Sequence, residues 1–84
     1  MKHELKAWPI YFKPVLDRKK LFEVRRDDRG FMVGDELILR EYKRDRMGGG
    51  VYTGREITAT VTYVLRDPDL VKKDFCVLGL EVIS

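Results

Sequence analysis

Period-two alternation of hydrophobic and polar residues recurs along this chain, and that spacing predicts a strand-rich fold. Met1–Ala7 sets His3 and Leu5 on one face against Lys2, Glu4 and Lys6 on the other. Leu21–Arg26 sets Phe22 and Val24 against Leu21, Glu23 and Arg25. Glu36–Tyr42 aligns Leu37 with Leu39. Ile57–Leu65 alternates most regularly, with Ile57, Ala59, Val61, Tyr63 and Leu65 facing one way and Thr58, Thr60 and Thr62 the other. Phe75–Ile83 is nearly continuous apolar sequence, the pattern of a central strand covered on much of both faces.

Other spacings interrupt these strands. Trp8–Pro9 breaks the first alternation and opens a helix, because proline is well tolerated in a first helical turn. Ile10, Phe12, Val15 and Leu16 supply its apolar stripe, with Tyr11 at the margin. Pro14 removes the bond to Ile10, which predicts a kink or a split into two turns. Asp27–Gly30 and Val33–Asp35 are turn signals, and Lys43–Gly50 reads as a charged loop ending in a run of glycines. Asp67–Pro68 resembles an N-cap and first helical residue, opening a short extra helical turn through about Lys73. The sum is a mainly β, α+β chain of five strands, one N-terminal helix and one extra turn. A small closed or nearly closed β-barrel satisfies it best, since closure removes edges that would pair with other chains. The 84 residues form one domain, 1–84, with no repeat and no linker.

Composition narrows the function. Apolar runs fall far short of the roughly 20 residues a bilayer core demands, and no basic cap precedes an apolar block, so a cytoplasmic address is expected. One cysteine and one histidine cannot build a disulfide frame or a Cys/His zinc site, so no metal or other cofactor is expected. The net charge of +3 is small but uneven: residues 1–30 carry nine Lys/Arg against five Asp/Glu, residues 31–60 five against five, and residues 61–84 three against four. A basic N-terminal third fits a polyanionic partner; a solvated mixed-charge surface is the plainer alternative.

The densest chemistry lies in Asp17–Arg26. Residues two apart in a strand sit about 6.6–6.8 Å apart on one face, so Glu23 and Arg25 are neighbours, with Lys20 at the strand mouth. One carboxylate between two cations makes either a polar pocket or a structural ion-pair cluster. In a pocket the cations bind phosphate, while the glutamate orients Arg25 or accepts from a base amino group.

These residues sit in a series of blocks that resembles the small bacterial and phage proteins of the DUF3850 group, within the ASCH superfamily of PUA-like β-barrels. The blocks are His3-Glu4-Leu5-Lys6, Trp8-Pro9-x-Tyr11-Phe12, Phe31-x-Val33-Gly34-Asp35-x-Leu37-x-Leu39-Arg40-Glu41, Tyr52-Thr53-Gly54-Arg55-Glu56-Ile57, Val61–Leu65 and Val77–Leu80. The ASCH signature G-x-K-x-x-E-x-R falls on Arg18, Lys20, Glu23 and Arg25, with Arg18 replacing the glycine of a tight helix-to-strand corner. The resemblance implies a PUA-like fold whose cleft, lined by signature residues, binds RNA or a nucleotide-like ligand. It also opens an enzyme reading, because some ASCH proteins resemble amidohydrolases acting on acetylated cytidine through a lysine and a threonine. Lys20 matches the lysine, but Glu23 stands in place of the threonine, which removes the hydroxyl nucleophile. Lys20 with Glu23 as a base keeps hydrolysis as the alternative.

The expected ligand site is therefore Lys20, Glu23 and Arg25, with Arg18, Lys19 and Arg26 adding electrostatic attraction. Trp8 is either core packing or a stacking platform for a base. Arg40 and Arg55 flank the charged loop and are candidates to line the cleft. His3 shares a face with Leu5 and reads as a satisfied, partly buried histidine before a catalyst. Cys76, among apolar neighbours, reads as inert packing. Gly49-x-x-x-x-Gly54-Arg55 imitates a phosphate loop in spacing only, because it lacks the Lys-Ser/Thr pair.

Overall fold

The computed structural model describes residues 1–84. Its elements are β1 (Lys2–Ala7), α1 (Pro9–Leu16), β2 (Phe22–Arg26), β3 (Glu36–Arg44), β4 (Gly50–Leu65) and β5 (Phe75–Val82). They form one five-stranded sheet in the order β1-β3-β4-β5-β2. β1 runs parallel to β3, and the other neighbours are antiparallel. The sheet curls into a half-barrel around Leu37, Leu39, Ile57, Ala59, Val61 and Leu78, each wholly or almost wholly buried. α1 seats Phe12 and Val15 in that core.

β1 and β2 are the sheet's edges, with no backbone ladder between them. Arginine side chains bridge the seam instead. A terminal nitrogen of Arg25 donates to the Lys6 carbonyl at 2.8 Å, and one of Arg29 donates to the Glu4 carbonyl at 3.1 Å. Two edge carbonyls that would otherwise recruit another strand are thereby occupied.

Several local expectations are corrected. The helix does not split into two turns at Pro14: α1 is one eight-residue helix, and the missing bond falls on its exposed Ile10 side. The charged loop is shorter than its composition suggests, because Lys43 and Arg44 pair with Val51 and Gly50 as rungs of a hairpin. That hairpin closes over Asp45, whose Oδ1 accepts the amides of Met47 at 2.8 Å and Gly49 at 3.0 Å. Polar sequence hid these rungs, since residues 51–56 are exposed and the ladder rests on backbone bonds. Gly50 is required there: a Cβ would lie 2.6 Å from the Lys43 carbonyl oxygen.

The regular alternation of β4 breaks at a bulge between Val61 and Tyr63. An extra residue reverses the facing of everything beyond it, so Tyr63 turns outward and Val64 packs on the core. β5 is central but only its inner face is fully covered, by Cys76, Leu78 and Leu80. The Asp67 segment closes as a single turn, its carbonyl accepting the amides of Leu70 at 3.0 Å and Val71 at 2.8 Å, and its Oδ1 that of Asp69 at 2.9 Å. No helix of the chain is long and apolar enough to cross a membrane.

Candidate functional site

β2 inverts the usual assignment of faces. Phe22 and Val24 point outward, half exposed, while Glu23 turns inward and is 4% exposed. The register explains this: Glu23 lies opposite buried Leu78 and Arg25 opposite buried Cys76, on the concave face. A carboxylate there demands charged partners, and it has two. Lys20 Nζ donates to Glu23 Oε1 at 2.8 Å. Arg25 Nε donates to Oε2 at 3.0 Å, and the terminal nitrogen that holds the Lys6 carbonyl also lies 2.9 Å from Oε2. The ion triad and the seam clip are thus one hydrogen-bonded unit.

A cleft of about 910 Å³ opens over this unit. Its walls include Trp8, Tyr11, Phe22 and Phe75, and its polar groups are Lys6, Lys20, Glu23 and Arg25. Trp8 is the N-cap residue of α1 and is 43% exposed, so it is a wall and not core. Its ring lies 6.2 Å from that of Tyr11. The Lys20 ammonium stands 5.8 Å from the Tyr11 centroid and 5.5 Å from that of Phe22, spanning the floor between two rings.

The other expected residues lie elsewhere. Arg18 and Lys19 are exposed at the corner after α1, and Arg26 faces outward over the Phe75 ring at 5.2 Å; none of the three lines the cleft. Arg18 has φ 59°, the left-handed conformation for which the signature's glycine is suited. Its amide donates to the Val15 carbonyl and that of Lys19 to the Pro14 carbonyl, the paired bonds of a Schellman motif. Arg40 and Arg55 do not line the cleft either. Arg40 pairs with Glu56 at 3.1 Å and covers the Tyr52 ring at 3.9 Å. Arg55 grips buried Glu41 with two nitrogens at 2.9 Å each.

The Glu41 cluster escaped the sequence reading, although period two from Leu37 and Leu39 puts Glu41 on their buried face. Thr53 adds a hydroxyl donor at 2.7 Å. The Arg55 bonds, then that of Thr53, hold the Glu41 carboxyl below its ordinary range despite burial. Asp35 was read as part of a turn, but its charged partners were not. It receives the Met1 ammonium at 2.9 Å, the His3 ring at 2.9 Å and the Met32 amide at 3.0 Å. The ammonium bond first, then that of His3, lowers its pKa to about 2. His3 is buried edge-on against Phe31, and burial pushes the Cys76 thiol up. Of the cleft residues beyond the signature, Lys6 and Tyr11 fall in blocks of the resemblance but had no expected site role, and Phe22 and Phe75 had none either; only the fold brings the four together.

Fold and site together define a class: a curled, mainly β domain with a ligand-sized, aromatic-walled cleft on the seam between its edge strands. A family model described as "Domain of unknown function (DUF3850)" matches residues 2–80, and the chain belongs to that family. It is also 44% identical over 62 residues to an "Uncharacterized 12.9 kDa protein in GpA 3'region" of Escherichia phage P2. That match takes in 74% of this chain and 52% of the phage protein, so the chain spans about half the length of this relative.

Proposed function

We propose that this domain is an RNA- or nucleotide-binding module of the PUA-like, ASCH type, and that the seam cleft holds its ligand. One observation carries the reading. The cleft brings Trp8, Tyr11, Phe22 and Phe75 together with Lys6, Lys20 and Arg25, and its sole carboxylate, Glu23, is already paired. Its volume falls within the roughly 300–1,000 Å³ of small-ligand sites, so a nucleotide is a suitable occupant. A base stacks on the exposed rings, a contact worth about 1–3 kcal/mol, while Lys6, Lys20 and Arg25 attract the phosphate. Glu23 spends both oxygens on Lys20 and Arg25. Its role is therefore to aim two cations, in preference to reading a base edge.

The amidohydrolase alternative would use the same Lys20–Glu23 pair. The cleft lining holds no serine, threonine or cysteine as nucleophile, so binding is the reading adopted. The test is a titration with uridine 5′-monophosphate at low salt. Binding is expected, weakening as salt rises, with Lys20→Ala or Arg25→Ala costing about tenfold in affinity. Absence of binding by the intact protein at low salt overturns the proposal. Release of cytosine nucleoside from N-acylated cytidine, lost in Lys20→Ala, would replace it with the hydrolase.

A further inference from the structure

The outer face of the β3–β4 arm carries cations and aromatic rings in contact. Lys6 stands 4.5 Å from the Tyr42 centroid, and the Tyr42 and Tyr52 rings meet edge-on at 5.0 Å. The Arg44 guanidinium covers the Trp8 ring at 4.4 Å. Lys6 and Trp8 belong to the cleft as well, so this strip begins where the cleft ends. Beyond Arg44 the hairpin tip forms an open concavity of about 500 Å³, lined by Lys43, Arg44, Asp45, Arg46, Gly50 and Val51. Its one carboxylate is turned to structure: Asp45 Oδ1 is committed to the Met47 and Gly49 amides. Lys6, Lys43, Arg44 and Arg46 form no ion pair with any carboxylate of the chain.

Such an arrangement is unlike a pocket for an isolated small molecule. A free mononucleotide is satisfied inside the cleft and leaves the tip's cations unmatched. A polymer with a negative charge at every link and a flat ring between links matches both parts. Alternating cations and rings, along a strip that leads to a basic concavity, is the chemistry of single-stranded nucleic-acid tracks. A duplex is a poorer fit, since its bases are stacked on one another and cannot use the exposed rings of Trp8 and Tyr52.

We propose that the seam cleft and the β3–β4 hairpin tip form one continuous track for single-stranded RNA, with Arg44 bridging the two. This rests on the cleft reading above and deepens it from a nucleotide to a strand. One base occupies the cleft, the chain passes over Trp8 and Arg44, and phosphates farther along settle against Lys43 and Arg46.

The experiment titrates the intact protein with uridine 5′-monophosphate, a uridine tetranucleotide and a uridine dodecanucleotide at two salt concentrations. Affinity is expected to rise about a hundredfold from the monophosphate to the dodecanucleotide, with a steeper salt dependence for the longer ligand. The double variant Lys43→Ala/Arg46→Ala should weaken the dodecanucleotide about tenfold and leave the monophosphate unchanged. Adding Arg44→Ala should deepen that loss. Both variants alter exposed hairpin side chains, and a melting curve matching the parent confirms that the fold is intact. Equal affinity for monophosphate and dodecanucleotide overturns the track while leaving the cleft reading in place. So does a double variant that weakens both ligands alike. If neither ligand binds the parent protein, the cleft reading fails, and the track with it.

Discussion

Two glutamates on the concave side of this half-barrel are buried to the same degree, 4% exposed, and both are held by arginine. Glu41 sits in a closed arrangement: two nitrogens of Arg55 and the Thr53 hydroxyl satisfy it, and it does not line the seam cleft. Glu23 has equivalent bonds, but its cations also form the floor of a cavity walled by aromatic rings. A buried carboxylate gripped by arginine is therefore no sign of function on its own. The strand edge makes the difference. β2 has no backbone partner on its outer side, so Arg25 extends to the Lys6 carbonyl and the seam gapes above it.

Truncating each glutamate sharpens this contrast most. Removing one partner of a buried ion pair costs about 3–5 kcal/mol when the other charge stays buried. The Lys20 and Arg25 side chains are only 18% and 22% exposed, so Glu23→Ala strands two covered cations. A loss of about 3 kcal/mol in urea unfolding is expected. The Arg55 side chain is 52% exposed and can return to water, so Glu41→Ala should cost less, about 2 kcal/mol. The reverse order would mean that partner exposure does not set the cost. Ligand affinity separates the pair further. Glu23→Gln should weaken uridine 5′-monophosphate about tenfold by releasing the aimed cations, whereas Glu41→Gln should leave it unchanged.

The same contrast shows what the sequence could and could not disclose. Leu37, Leu39, Ile57, Ala59 and Val61 announce their strands because their period-two spacing coincides with burial. The signature positions Lys20, Glu23 and Arg25 were legible as a cluster because they are close in sequence. Of the aromatic walls only Trp8 was offered, as core or stacking platform; Tyr11, Phe22 and Phe75 were not, since the walls come from different elements and meet only after the sheet curls. Glu41 lay in plain alternation with two leucines, but its partner arrives from fourteen residues away across a bulge containing Gly54, whose φ is 93°. Phe22 and Val24 show a related limit: local pattern defines two faces of a strand, and only the register with β5 decides which is inward.

A third carboxylate, Asp35, extends the comparison to acid. Its folded pKa of about 2 lies below the ordinary 3.8, so its bonds stabilise the fold fully above the ordinary value. That stability is lost as pH falls from about 4 through about 2. The Met1 ammonium that contributes most is itself exposed, which screens its contribution; a loss on the order of 1 kcal/mol is expected. Asp35→Asn should flatten the decline in this window relative to the parent, as read from urea midpoints across pH. An unchanged slope would assign acid sensitivity to another group, Glu41 being the first candidate because its pKa is also lowered.

The smallest expected effect falls at the corner that leads into the Glu23 triad. Arg18 holds φ 59° at the end of α1, where a side chain costs roughly 1–2 kcal/mol relative to glycine. Glycine returns part of that through the greater freedom of the unfolded chain, about 0.5–1 kcal/mol. The Arg18 bond to the Leu16 carbonyl, at 2.9 Å, is exposed and offsets little. Arg18→Gly should therefore stabilise the protein by about 0.5 kcal/mol, raising Tm by roughly 2–4 °C for a domain of this size. The Schellman bonds from Arg18 and Lys19 remain available to the variant, so the direction of β2 and the aim of Lys20 should persist. Arg18 lies outside the cleft lining, and uridine 5′-monophosphate should bind the variant as it binds the parent. A destabilised variant would show that the Arg18 side chain braces the corner. A stable variant with weakened binding would show that charge outside the cleft helps to draw the ligand in.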